Sequence, residues 1–119
     1  MTDDLDRSQT FDLPKGYQLL PWHRGFGRQV GPLFEKREPE GVTRAFRVEE
    51  HHTNGMMNAH GGMLMTFADR AMGMTCWYNN DRKPQATIQL NVHFVDAVQV
   101  GEFVEARCEV VRRTKSLVF

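Results

Sequence analysis

An acid planted inside an apolar stretch, behind a His-Gly-Gly, is the feature of this sequence best equipped for chemistry: His60-Gly61-Gly62 runs into Met63-Leu64-Met65-Thr66-Phe67-Ala68-Asp69. If a helix begins at Gly61, its first N–H groups lack intrahelical acceptors and the helix dipole favours negative charge there. Glycines, having no Cβ, let a ligand approach that backbone. An oxyanion forming on a bound carbonyl would then meet backbone donors, and losing one such donor typically costs about 3 kcal/mol of transition-state stabilisation. The plainer reading is that Gly61 and Gly62 only permit a tight turn. On such a helix Asp69 shares a side with Met65, Thr66, Met72, Gly73 and Cys76. A carboxylate on a mostly apolar stripe needs a partner or a purpose. It is a general base for water, a nucleophile towards an acyl carbon, or one half of a structural ion pair with an arginine. Asn54 carries an amide that both donates and accepts, so it orients a water or a carbonyl, or simply forms a turn. His60, directly ahead of the helix, supports the loop or contacts substrate.

The elements that must position these residues follow from periodicity. Apolar Leu64, Phe67, Ala68, Ala71, Met72 and Cys76 recur at helical spacing between Gly61 and Tyr78, and Asn79-Asn80-Asp81 closes the element. The pattern is apolar most of the way round, which predicts a helix buried on several sides. Ahead of it, Gly27–Lys36 reads as an edge strand broken by Gly31-Pro32, and Glu38-Pro39-Glu40-Gly41 turns the chain into a strand over Val42–Glu49. After Pro84 comes the cleanest alternation: Ala86, Ile88, Leu90, Val92 and Phe94 against Thr87, Gln89, Asn91 and His93. Val104 to Val110 alternates again, Thr114-Lys115-Ser116 turns, and Leu117-Val118-Phe119 starts a further strand. One core-quality helix among strands predicts an α+β domain with an antiparallel sheet wrapped around the helix.

Composition narrows the function. Lys plus Arg equals Asp plus Glu at 15 each, so no net field draws nucleic acid or an anionic membrane. Apolar runs stay far below the roughly 20 residues of a membrane span. Cys76 and Cys108 have no ligand spacing. A metal site from His51, His52, His60 and His93 has neither the HxxxH helix spacing nor a carboxylate at ligand spacing, and no cofactor motif occurs. The acidic start MTDDLDRSQT lacks the pattern of a signal peptide, so a cytoplasmic location is expected. Residues 1–25 read as a loosely docked lead-in and 26–119 as the domain.

Asn54, then His60-Gly61-Gly62 six residues on, then Asp69 nine after that His, with the strand Thr87-Ile88-Gln89-Leu90-Asn91-Val92, resembles the hotdog-fold acyl-CoA thioesterases of the phenylacetate-pathway and small-acyl type. The resemblance runs from about Phe26 to the end. It implies a hotdog fold and hydrolysis of an acyl-CoA to acid and coenzyme A, with Asp69, Gly61, Asn54, His60 and Thr87 in the catalytic site; Thr87 matches a small hydroxyl residue that places the attacking water. It also implies a homodimer or homotetramer whose subunits pair edge strands, here Ala86–Phe94, so that one subunit supplies Asp69 and the other the Asn54–Gly61 loop. Candidate substrate contacts are Gly62, Met65 and Met72, with Arg112 and Arg113 as phosphate contacts or merely a solvated hairpin end. A non-catalytic hotdog protein that binds acyl-CoA or acyl-carrier ligands is the alternative. The chain departs from the family at Met57, where relatives carry glycine, and the family's sheet runs further than Phe119, as though its last strands were truncated.

Overall fold

Glu38-Pro39-Glu40-Gly41 acts as the turn its composition requires: β2 (Leu33–Glu38) and β3 (Gly41–Arg47) pair antiparallel with Glu38 opposite Gly41, whose φ of 147° suits only glycine. The computed structural model describes residues 11–21 and 24–119. β1 (Gln18–Leu20) joins the free edge of β2, and β4 (Phe103–Arg107) that of β3, giving the antiparallel order β1-β2-β3-β4. β1 lies inside the stretch expected to dock loosely; three residues are too few to show a period, yet Leu20 enters the core. Residues 1–10 of that lead-in lie outside the described residues. A second difference concerns Gly27–Lys36. Its first part is helical, α1 (Gly25–Val30), closed by the Gly31 N–H on the Gly27 carbonyl at 2.9 Å, and the strand starts only beyond Pro32.

α2 (Gly61–Tyr78) has the expected bounds. It presses Met63, Phe67, Ala71 and Met74 onto the sheet, where Leu20, Leu33, Phe46 and Val48 complete the core and the Phe46 and Phe67 rings lie 4.8 Å apart. Its burial is one stripe, not several sides: Met65 and Met72 stay exposed, because a four-stranded sheet covers only one side of a helix. Beneath the helix's second half the buried Arg44 on β3 donates to Thr75 Oγ1 (2.8 Å) and the Ala71 carbonyl (3.3 Å), with Glu35 4.0 Å from its Nε. On the sheet's other face Phe34 meets Phe11 and Phe103, and the Tyr17 hydroxyl, pushed well above its usual range by burial and then by Glu105, donates to that carboxylate.

The cleanest strand of the sequence is the main correction. Ala86–Phe94 joins no ladder in this chain. The alternation is real, with Leu90 and Val92 half-buried and Gln89 and Asn91 exposed, but Ile88 is 81% exposed. Alternation defines a face; a ladder also needs a neighbour, and no pattern in one segment supplies it. β4 likewise ends at Arg107 instead of reaching Val110. Thr114-Lys115-Ser116 does turn the chain, with the Val111 N–H on the Phe119 carbonyl at 2.7 Å and the Thr114 N–H on that of Leu117 at 2.8 Å.

Candidate active site

The helix start is capped by the residue before it. His60 Nδ1 accepts the Gly62 N–H at 2.8 Å, while its carbonyl takes the N–H groups of Met63 (2.9 Å) and Leu64 (3.1 Å). Such a side-chain cap satisfies one of the orphan donors of a helix N-terminus. The Gly61 N–H has no acceptor among the described residues. Of the two glycines it is therefore Gly61 that offers a donor to a ligand, and His60 acts as the cap. The Phe94 ring packs on Gly61, in van der Waals contact at 3.4 Å from where a Cβ would stand.

Eight residues along α2, Asp69 accepts a hydrogen bond from the Thr87 hydroxyl, Thr87 Oγ1 to Asp69 Oδ1 at 2.6 Å. Distant in sequence, the two are brought together by the segment after Pro84, which returns along α2: Gln85 Nε2 donates to the Gly73 carbonyl at 3.0 Å, Thr87 meets Asp69, and Phe94 meets Gly61. Among the described residues Asp69 forms no ion pair, so Thr87 takes the place of the arginine that a structural role would require. Met65 and Met72, one turn either side of Asp69, are its exposed apolar neighbours on the helix.

Asn54 is occupied within its own loop. Its Oδ1 accepts the N–H groups of Met56 (2.8 Å) and Asn58 (3.3 Å), and the Met57 N–H returns to its carbonyl (3.2 Å). Met57 stands at φ 62°, the left-handed region where glycine is at ease and other residues are not. The glycine-for-Met57 departure thus falls where the backbone asks for glycine, and the turn forms regardless.

Not every candidate converges. With a rise of 1.5 Å per residue, Gly61 and Asp69 of one chain are separated by about 12 Å along the axis, too far to act on one carbonyl. Arg113 pairs with Asp81 at 4.0 Å, just beyond the C-terminal end of α2. That sets Arg112 and Arg113 roughly 25 Å of helix away from Gly62 within a chain. His51 and His52 gather with Glu49 within 4.8 Å. Both His52 nitrogens are taken: Nδ1 accepts the Glu49 N–H at 3.0 Å and Nε2–H donates to the Val30 carbonyl at 2.6 Å. A cavity of about 200 Å³ lined by Phe11, Leu13, Pro32, Phe34 and Arg47 lies on the sheet face opposite α2. Gln85 and Phe94 are the contacts that sequence reasoning missed. The signal for Gln85 was its place two residues before Thr87, on the same side of an extended chain.

The thioesterase superfamily model matches residues 56–119, more than half of the chain. The chain belongs to the thioesterase superfamily. A Pseudomonas aeruginosa protein named as an esterase is 27% identical over 110 residues, 91% of this chain and 82% of that protein. Acyl-coenzyme A thioesterase 13 of Homo sapiens is 26% identical over 113 residues, 94% of this chain and 81% of its own length. Among solved structures, zebra fish thioesterase superfamily member 2 superposes with a TM-score of 0.72 at 27% identity, covering 79% of this chain and 69% of that one. As a superfamily member the chain has the expected α+β hotdog arrangement, an antiparallel sheet packed on one long helix. Among the described residues no helix is long and apolar enough to cross a membrane.

Proposed function

We propose that this thioesterase-superfamily chain hydrolyses the thioester of an acyl-CoA, with Asp69 as general base, in a site completed by a second copy of the chain. The observation that carries the reading is the Thr87–Asp69 hydrogen bond at 2.6 Å. Having given its proton to Oδ1, the Thr87 oxygen keeps lone pairs for a water, and Oδ2 of Asp69 stays open to take that water's proton. The water attacks the acyl carbon, the carbonyl oxygen gathers charge against the Gly61 N–H at a helix N-terminus, and the coenzyme A thiolate leaves. Direct attack by Asp69 with a mixed anhydride is the competing route. The names of the human and Pseudomonas relatives support a thioester or ester substrate. Met65 and Met72 suit an acyl group, since methionines adapt to varied apolar shapes. Asn54 is left a free Nδ2 with which to orient the substrate carbonyl, and Arg112 and Arg113 stand as phosphate contacts.

The second copy follows from the helix geometry. A reacting carbonyl needs base and oxyanion donor each within about 3 Å, and a single helix holds them about 12 Å apart. The unladdered segment 86–94, with Ile88 and Phe94 exposed, is an edge that pairs with its own copy about a two-fold axis, bringing Asp69 of one chain to Gly61 of the other. The test is thiol release from short, medium, long and aromatic acyl-CoAs by wild type and Asp69→Asn. Wild-type turnover with a loss of at least about a hundredfold in the variant is expected. Full activity of Asp69→Asn overturns the assignment of the base; no turnover with any substrate, but a raised Tm with one of them, makes the chain a binding protein. Label found in the Asp69 carboxylate after a single turnover in 18O water identifies direct attack, because water opening the anhydride at the aspartyl carbon leaves its oxygen there, whereas a general base never bonds to the water oxygen.

A further inference from the structure

Gln85 lies outside the motif that carries the family resemblance, yet its contact has the geometry of a positioning device. Its amide Nε2 donates to the Gly73 carbonyl at 3.0 Å, and two residues later Thr87 donates to Asp69 at 2.6 Å. On a strand-like segment, side chains two apart face the same way and are separated by about 6.6 Å. On the helix, the acceptors Gly73 and Asp69 are four residues apart, about 6 Å of rise. The two spacings match, so a chain running antiparallel to α2 makes both bonds at once, and fixing one fixes the register of the other. The need for such a tether is visible on either side. Residues 84–96 join no ladder, and Ala86 and Ile88, flanking Thr87, are exposed. The backbone here is held by no sheet neighbour in this chain. Without the Gln85 bond, the first contact of the segment with α2 would be the Thr87 hydroxyl itself, and a lone hydroxyl has several rotamers available.

We propose that Gln85 is a positioning residue: its bond to the Gly73 carbonyl sets the segment's register on α2 and locks Thr87 into the rotamer that meets Asp69. The chemistry assigned to that pair rests on the function proposed above; the locking does not. Position 73 contributes only its backbone carbonyl to the contact, and a Cβ there would meet nothing within 4 Å.

The test uses Gln85→Ala, Gln85→Glu, which keeps the shape but replaces the donor by an acceptor, and Gln85→Lys, which restores a donor. Two readouts are taken on the full chain: the Thr87 χ1 populations from side-chain NMR couplings, and kcat and KM for acyl-CoA hydrolysis. Expected are a single Thr87 rotamer in wild type and Gln85→Lys, averaging in Gln85→Ala and Gln85→Glu, and a fall in kcat on the order of tenfold with KM within about twofold. In a Thr87→Val background Gln85→Ala is expected to cost nothing further, because the two act as one unit. A single unchanged Thr87 rotamer in Gln85→Ala overturns the proposal, as does a loss that simply adds to that of Thr87→Val. If wild type hydrolyses no acyl-CoA, the thioesterase reading fails by itself, and the couplings still decide whether Gln85 locks Thr87.

Discussion

Met57 shows how far a single residue's conformation can be judged from sequence. At φ 62° in the turn that Asn54 organises, a side chain costs about 1–2 kcal/mol relative to glycine, part of which glycine returns as greater freedom in the unfolded chain. Met57→Gly is therefore expected to raise stability by about 0.5–1 kcal/mol, checked by urea denaturation of the variant against wild type; a destabilised variant would show that the Met57 side chain holds the loop. That the position asks for glycine was legible from the family pattern. That Asn54 Oδ1 closes the turn through Met56 and Asn58, leaving only its amide donor for substrate, was not, since an Asn side chain forms a turn and a binding site with the same atoms.

At the scale of elements, His52 ties three pieces together. It is 2% exposed, accepts the Glu49 N–H, donates to the last carbonyl of α1 and stands edge-on to Phe46 in the core. Burial, the leading cause, holds its pKa below the ordinary 6.5, with the neighbouring His51 acting the same way and the Val30 and Glu49 contacts opposing. A depressed histidine stays neutral in the fold while the unfolded chain takes up a proton, so its contribution is complete above about pH 6.5 and declines as pH falls below that value. Protonation also turns Nδ1 into a donor facing the Glu49 N–H. Thermal melts from pH 7.5 to 5 should show Tm dropping more steeply in wild type than in His52→Gln; parallel curves would place the acid sensitivity elsewhere. Helix α2 was readable to the residue because 18 residues at a 3.6 period leave little ambiguity. β1 and α1, of three and six residues, are too short to declare a period, and their states were decided by the core that Leu20 enters and by the break at Pro32.

For the whole molecule the deciding quantity is the reach of one chain. Ile88, 81% exposed on an unladdered segment, belongs to the proposed pairing edge, and a charge there meets its own copy across a two-fold axis. Ile88→Asp is expected to convert a dimer into a monomer by light scattering and to abolish thioester hydrolysis with Asp69 and Thr87 intact. A wild type that is monomeric and fully active would mean that one chain completes the site. By itself the sequence determined the α+β class, the bounds of α2, the β2–β3 turn and the residue types able to hold an oxyanion and activate water, because periodicity, turn chemistry and donor chemistry are local properties. Only the tertiary structure decided that Thr87 finds Asp69, that Phe94 packs on Gly61, and that Ala86–Phe94 has no ladder partner in this chain. Each of these depends on where a distant segment comes to lie, and alternation or spacing within a segment carries no information about its neighbour.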